Sequence, residues 1–195
     1  MSSGEPDPFD LFNDWFALAE ANEPSDVDAA SIATVDASGQ PSLRVVLIRE
    51  ASREGFKFYT NLGSRKAQEL AINPKMALCF HWKSLAKQIR IEGQAELVSD
   101  AVADAYFAGR PRESQIGAWA SQQSQTLENR AELEAEFRKF EQKFGSDPVS
   151  RPPFWSGYLL VPTAFEFWDK RDHRLHHRQR FQLHLGKWEQ ELLYP

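Results

Sequence analysis

A single cysteine, Cys79, stands in 195 residues, which excludes an internal disulfide and fits a reducing compartment. No apolar run approaches the roughly eighteen residues of a membrane span. The opening MSSGEPDPFD has no basic segment leading into an apolar stretch, so a secreted or membrane-spanning protein is disfavoured and a cytoplasmic one is expected. Glycine-rich phosphate loops are missing too. Neither G-x-G-x-x-G nor G-x-x-x-x-G-K-[ST] occurs, so no Rossmann or P-loop mode of phosphate binding is indicated. There is no internal repeat and no low-complexity tract. Excess positive charge is also absent: the net charge is −5, which argues against non-specific nucleic-acid binding by the whole surface.

What is present suits one well-buried domain over residues 1–195, with 42% apolar and 26% charged residues. Six tryptophans and fourteen phenylalanines imply a large core, an aromatic-lined site or an interface. DPFDLFNDWFALAEAN predicts an amphipathic helix over about 7–22, with Pro8 just inside its start. Strands are expected in SIATVDASGQPSLRVVLIRE, around a Gly39–Pro41 turn, and in EGFKFYTN, KMALCFHW and KQIRIEGQAELVS. GSRKAQELAINP reads as a helix with Ser64 as N-cap, DAVADAYFAGRPR as a short helix ended by Gly109, and LENRAELEAEFRKFEQKFG as the clearest helix. Strands return over about 154–195, in YLLVPTAFEFW, RLHHRQRFQLHL and KWEQELLYP. Six to eight antiparallel strands with helices outside them predict a mainly β, α+β protein built as a small barrel with peripheral helices.

Four stretches gather basic and amide side chains. In LRVVLIRE, alternation puts Arg44, Val46 and Ile48 on one face and Val45, Leu47 and Arg49 on the other. In YTNLGSRKAQ, Arg65 and Lys66 occupy the first turn of a helix, where the macrodipole disfavours cations; an anion held at that helix start makes sense of them. In YFAGRPRESQIGAWASQQS, Tyr106, Arg110 and Ser114 recur at spacing four and can converge as a second anion clamp. In HRLHHRQR, an extended chain places Arg174, His176 and Arg178 on one side at roughly 6.5–7 Å intervals, with Leu175 and His177 on the other. Two guanidinium forks around an imidazole suit a phosphate or a polarised oxygen. The flanking arginines repel a divalent cation and no cysteine or carboxylate set completes a ligand group, so no metal is expected. Two anion clamps among aromatics suggest a phosphate-bearing organic cofactor acting on a phosphorylated substrate. The residues alone leave its identity open.

RVVLIRE, FYTNLGSRKAQEL, GRPRESQIGAWASQQS and FEFWDKRDHRLHHR, in this order, resemble the pyridoxine (pyridoxamine) 5′-phosphate oxidase family, over about Asp7 to Pro195. The resemblance implies a split β-barrel homodimer with FMN at the subunit interface, oxidising pyridoxine or pyridoxamine phosphate to pyridoxal 5′-phosphate while O2 becomes H2O2. By motif position it implies FMN contacts from Arg44, Val45, Val46, Leu47, Ile48, Arg49, Tyr59, Thr60, Arg65, Lys66, Gln88, Gln123, Ser124, Trp168 and Arg178. Substrate contacts fall to Arg49, Tyr106, Arg110, Ser114, Arg174, Leu175 and His176, with Arg174 and His176 at the reacting carbon. Arg49 stands where the family usually has Lys, His177 where it has Asp, Asn or Glu, and Asp169 where it has Gln, His or Gly. Other readings are a related flavin oxidase of the phenazine-biosynthesis type and a flavin-binding module without turnover.

Overall fold

The computed structural model describes residues 7–195; residues 1–6, which open the span expected above, lie outside the described residues. Helix α1 (Pro8–Asn22) leads into β1 (Ala29–Val35), β2 (Pro41–Leu47), β3 (Glu50–Ser52), β4 (Gly55–Asn61), α2 (Arg65–Ile72), β5 (Lys75–Trp82) and β6 (Lys87–Leu97). Three helices follow, α3 (Asp100–Ala108), α4 (Arg112–Ala120) and α5 (Arg130–Phe144). The chain closes with β7 (Trp155–Asp169), β8 (His177–His184) and β9 (Lys187–Leu192).

Local chemistry explains the boundaries. The Asp7 carboxylate accepts from the Phe9 amide at 2.9 Å, and Pro8 gives up a hydrogen bond that the first helical turn cannot make. At the β1–β2 hairpin Gly39 takes φ +87°, a conformation that suits glycine. Alternating burial follows the alternating side chains: Ala30, Ile32 and Thr34 point inward from β1, and Met76, Leu78, Phe80 and Trp82 from β5.

The strands form one antiparallel sheet ordered β2-β1-β5-β6-β7-β4-β3, with β8 added to β7 and β9 to β8. Strand β7 makes the split. Its first half pairs with β4 (Phe58↔Tyr158), its second half with β8 (Phe167↔Gln179), and its other edge runs along β6 with a register shift at Glu92/Gly93. Helix α1 fills the curved inner face, with Phe12 edge-on to Phe56 at 4.9 Å and Trp15 edge-on to Phe167 at 5.3 Å. A second cluster, Phe107, Ile116, Val149 and Trp155, joins α3, α4 and α5 to the start of β7.

The structure departs from expectation in three places. Strand β3 and helix α4 raise the inventory to nine strands and five helices among the described residues. Strand β3 has only three residues and α4 begins after a proline, so neither carries a long periodic signal. Ser64 occupies the N-cap position of α2 but its hydroxyl makes no capping bond; it accepts from Lys66 Nζ at 3.2 Å instead. The third departure concerns HRLHHRQR, expected to be extended: residues 172–174 form a 3-10 turn, with His173 and Arg174 at φ +56° and +62°. β8 therefore starts at His177, and Arg174 and His176 do not share a strand face with Arg178. The charged DKRDH segment offers no apolar side chain for the core face, and the Leu175 amide closes the turn on the Asp172 carbonyl at 3.0 Å.

Candidate active site

A cleft of about 850 Å³ opens between β2, the end of β4, the start of α2 and the α3–α4 turn. Arg44, Arg49, Arg65, Lys66 and Arg110 line it, and no described carboxylate does. Val45, Val46, Leu47, Tyr59, Thr60, Tyr106, Ser114, Gln123 and Ser124 also lie in its wall, as expected.

At one end sits Lys66, only 8% exposed. Its Nζ donates to Thr60 Oγ1 at 3.0 Å, Ser64 Oγ at 3.2 Å and Gln123 Oε1 at 3.2 Å, all neutral acceptors. Burial and then the Arg44 charge pull its pKa down to about 8. The loop before it is rigid, because Asn61 Oδ1 accepts from the Gly63 amide at 2.7 Å while Asn61 Nδ2 donates to the Ser121 carbonyl at 3.1 Å. A buried ammonium with neutral partners beside two arginines fits the terminal phosphate of FMN.

At the other end the rings of Tyr59 and Tyr106 stack at 3.7 Å and both lie parallel to Trp155. A Cβ at Gly157 would sit 2.7 Å from the Tyr59 ring, so the absence of a side chain there lets the stack form. The Arg110 guanidinium lies 4.8 Å above the Trp155 ring, and its buried Nη1 has no hydrogen-bond partner. Burial lowers its pKa, and the Arg49 charge adds to that. A desolvated, unpartnered N–H is a receptor for a second anion. Arg49 stands at the rim and donates to Asp28 at 3.0 Å, with 41% of its side chain exposed.

Seven expected residues do not line this cleft. Ile48 is 6% exposed and belongs to the core; it is the first residue past β2, and its amide donates to the Asp28 carbonyl at 2.8 Å. The other six form a second group across the sheet. Gln88 pairs with Trp168, and Trp168 with Arg178, in one cross-strand row. The His176 ring lies 4.6 Å from Trp168, and its Nδ1 accepts from the Arg171 amide at 3.3 Å. Arg178 is fixed by the 6%-exposed Glu166 at 2.8 Å and by the Tyr194 carbonyl at 2.8 Å. Arg174 and Leu175 are exposed on the turn. Sequence reasoning missed Ser42, Asn61, Ser121 and Trp155 in the cleft, and Glu69 behind it. The Arg65-to-Glu69 spacing of one helical turn was the available signal for Glu69.

Among solved structures, PhzG from Burkholderia lata, in complex with tetrahydrophenazine-1-carboxylic acid, superposes with a TM-score of 0.93 at 29% identity, covering 99% of this chain and 95% of that one. A pyridoxamine 5′-phosphate oxidase-related, FMN-binding protein from Nostoc punctiforme shares the fold, with a TM-score of 0.78 at 17% identity over 98% of this chain and 100% of that one. Fold and cleft together define an FMN-dependent oxidoreductase of the split-barrel class. Residues 19–144 match the family model described as pyridoxamine 5′-phosphate oxidase, and residues 155–195 that of the pyridoxine 5′-phosphate oxidase C-terminal dimerisation region. Proteins named pyridoxine/pyridoxamine 5′-phosphate oxidase from Sphingopyxis alaskensis and Anaeromyxobacter dehalogenans are 53% identical over 189 residues and 51% over 193. These alignments cover 97% and 99% of this chain, and 88% and 98% of those proteins. The chain belongs to the pyridoxine/pyridoxamine 5′-phosphate oxidase family.

Proposed function

We propose that the chain, acting as one domain, oxidises pyridoxine and pyridoxamine 5′-phosphate to pyridoxal 5′-phosphate as a cytoplasmic homodimer. The observation that carries this reading is the pair of anion receptors in one cleft, Lys66 with its hydroxyls at one end and Arg110 at the other. One takes the phosphate of FMN, with Arg44, Arg65, Thr60 and Gln123. The other takes the phosphate of the substrate, with Tyr106, Ser114 and Arg49. The second group, Gln88, Trp168, Arg174, Leu175, His176 and Arg178, completes the cleft of the partner protomer and places FMN at the interface. In support, five of these six residues fall in the segment that matches a dimerisation region.

Bound FMN supplies an acceptor for a hydride from substrate C4′, and O2 then carries the electrons off as H2O2. Arg174 donates to the C4′ oxygen or nitrogen and orients the C–H bond. His176 accepts at Nδ1, so its neutral tautomer carries the proton on Nε2 and acts as a donor that holds the substrate ring. Arg178, fixed by Glu166, presents positive charge where negative charge develops. Trp168 and the Tyr59–Tyr106–Trp155 stack exclude water from these contacts.

Anaerobic mixing of purified protein with pyridoxine phosphate tests the reading. The yellow colour should bleach as one pyridoxal phosphate forms per flavin, and return on admission of air. Yellow protein that this substrate cannot bleach would leave a flavin-binding module. Bleaching by a reduced phenazine precursor alone would point to the chemistry of the PhzG relative.

A further inference from the structure

The cations at the Lys66 end of the cleft share a counter-charge that the proposed chemistry leaves unused. Glu69 lies one helical turn beyond Arg65, is 4% exposed, and sits behind the cleft wall rather than in it. Its Oε1 accepts from Arg65 Nε at 2.8 Å. Its Oε2 accepts from the hydroxyls of Ser42, at 2.5 Å, and Thr34. The same two hydroxyls accept from the Arg44 guanidinium, Thr34 from Nη1 at 2.5 Å and Ser42 from Nη2. Each hydroxyl thus gives its proton to Glu69 and receives one from Arg44, a relay that fixes the direction of every bond in it. Arg44 Nη2 is itself 3.5 Å from the carboxylate.

A carboxylate this close to a phosphate subsite weakens its field, so attraction alone does not account for Glu69. Geometry does. Arg65 is 58% exposed along its side chain and would otherwise sample many rotamers. Holding it by Nε leaves both terminal nitrogens free to meet an anion, and holding Arg44 through two hydroxyls locks the plane of its fork. Side chains ordered before the ligand arrives need not be ordered by it.

We propose that Glu69 is the positioning residue of the phosphate subsite, fixing the Arg44 and Arg65 arms from behind in the attitude that receives the terminal phosphate of FMN. This rests on the FMN reading above. It goes further by assigning the preference for a phosphorylated flavin to a residue outside the cleft.

The test titrates the full-length parent, Glu69→Gln and Glu69→Asp with FMN and with riboflavin, which has the same ring system and no phosphate. Releasing two arms should weaken FMN binding by Glu69→Gln about 5- to 50-fold while riboflavin binding stays within about twofold. Glu69→Asp keeps the charge on a shorter arm and should fall between parent and Glu69→Gln. It also carries the test should Glu69→Gln fail to fold. Equal losses for both flavins would reduce Glu69 to a structural tie between β1, β2 and α2. Unchanged or tighter FMN binding by Glu69→Gln would make it only a competing charge; either result overturns the proposal. A parent that binds riboflavin as tightly as FMN would strike the FMN reading itself.

Discussion

Replacing Arg174 by alanine is expected to slow turnover about 30- to 1000-fold, from roughly 2–4 kcal/mol of lost transition-state stabilisation, while the purified protein stays yellow. Arg174 is exposed on a turn outside the Lys66 cleft, so its removal spares every group proposed to hold the FMN phosphate. What would go is the cation proposed to act at the reacting carbon. His176→Ala should behave in the same way. Its ring is positioned by the Arg171 amide and packed on Trp168, and it touches none of the cleft cations' hydrogen bonds. Steady-state rates set beside the visible absorbance of each variant decide the matter. Parent-like turnover from either alanine variant would remove that residue from the reacting centre.

Lys66 governs the opposite property. Lys66→Met should weaken FMN binding about 30- to 150-fold, the upper part of the range for a hydrogen bond to a buried charge, at roughly 2–3 kcal/mol. Its pH signature is distinctive. In the FMN-free protein the ammonium loses its proton near pH 8, because burial and Arg44 disfavour the charge. A bound phosphate favours the charge and raises that value. FMN affinity should therefore be level just below pH 8 and fall by up to about tenfold per unit above it, a slope that Lys66→Met abolishes. Stability moves the other way. A lysine with a depressed folded-state pKa destabilises the fold below pH 8, and the cost is relieved as pH rises from about 8 towards 10.5. FMN-free Lys66→Met should accordingly melt no lower than the parent at pH 7. A pH-independent FMN affinity in the parent would show that Lys66 does not carry the phosphate.

Much of this arrangement was legible in the residues. The alternation in KMALCFHW, the proline opening α1 and the place of Arg65 and Lys66 in the first turn of α2 were each readable locally, and all hold. The spacing of Tyr106, Arg110 and Ser114 also pointed to one wall, which the end of α3, the turn after it and the start of α4 supply. HRLHHRQR misled, because period-two alternation assumes an extended chain, and the turn at 172–174 is set by a backbone bond from Leu175 to Asp172. Nor could one chain's sequence reveal that its expected contacts divide into two groups. That division arises from sheet order, where Gln88, Trp168 and Arg178 meet only because β6, β7 and β8 are neighbours. Glu69 was hidden for a related reason: its hydroxyl partners arrive from β1 and β2, more than twenty residues away.

The fifteen residues of β7 carry Trp155, in the wall of one cleft, and Trp168, in the group proposed to finish the partner's. At about 3.3 Å per residue such a strand is some 50 Å long, which lets a single uninterrupted element serve two sites. Injury to the enzyme is then shared unequally between subunits. A mixed dimer of one chain lacking Lys66 and one lacking Arg174 concentrates both defects in one site and leaves the other whole. Random pairing of equal amounts makes about half the dimers mixed, so two chains that are each impaired alone should together recover about a quarter of the parent's sites. In a cell carrying both alleles, each defective copy would rescue the other.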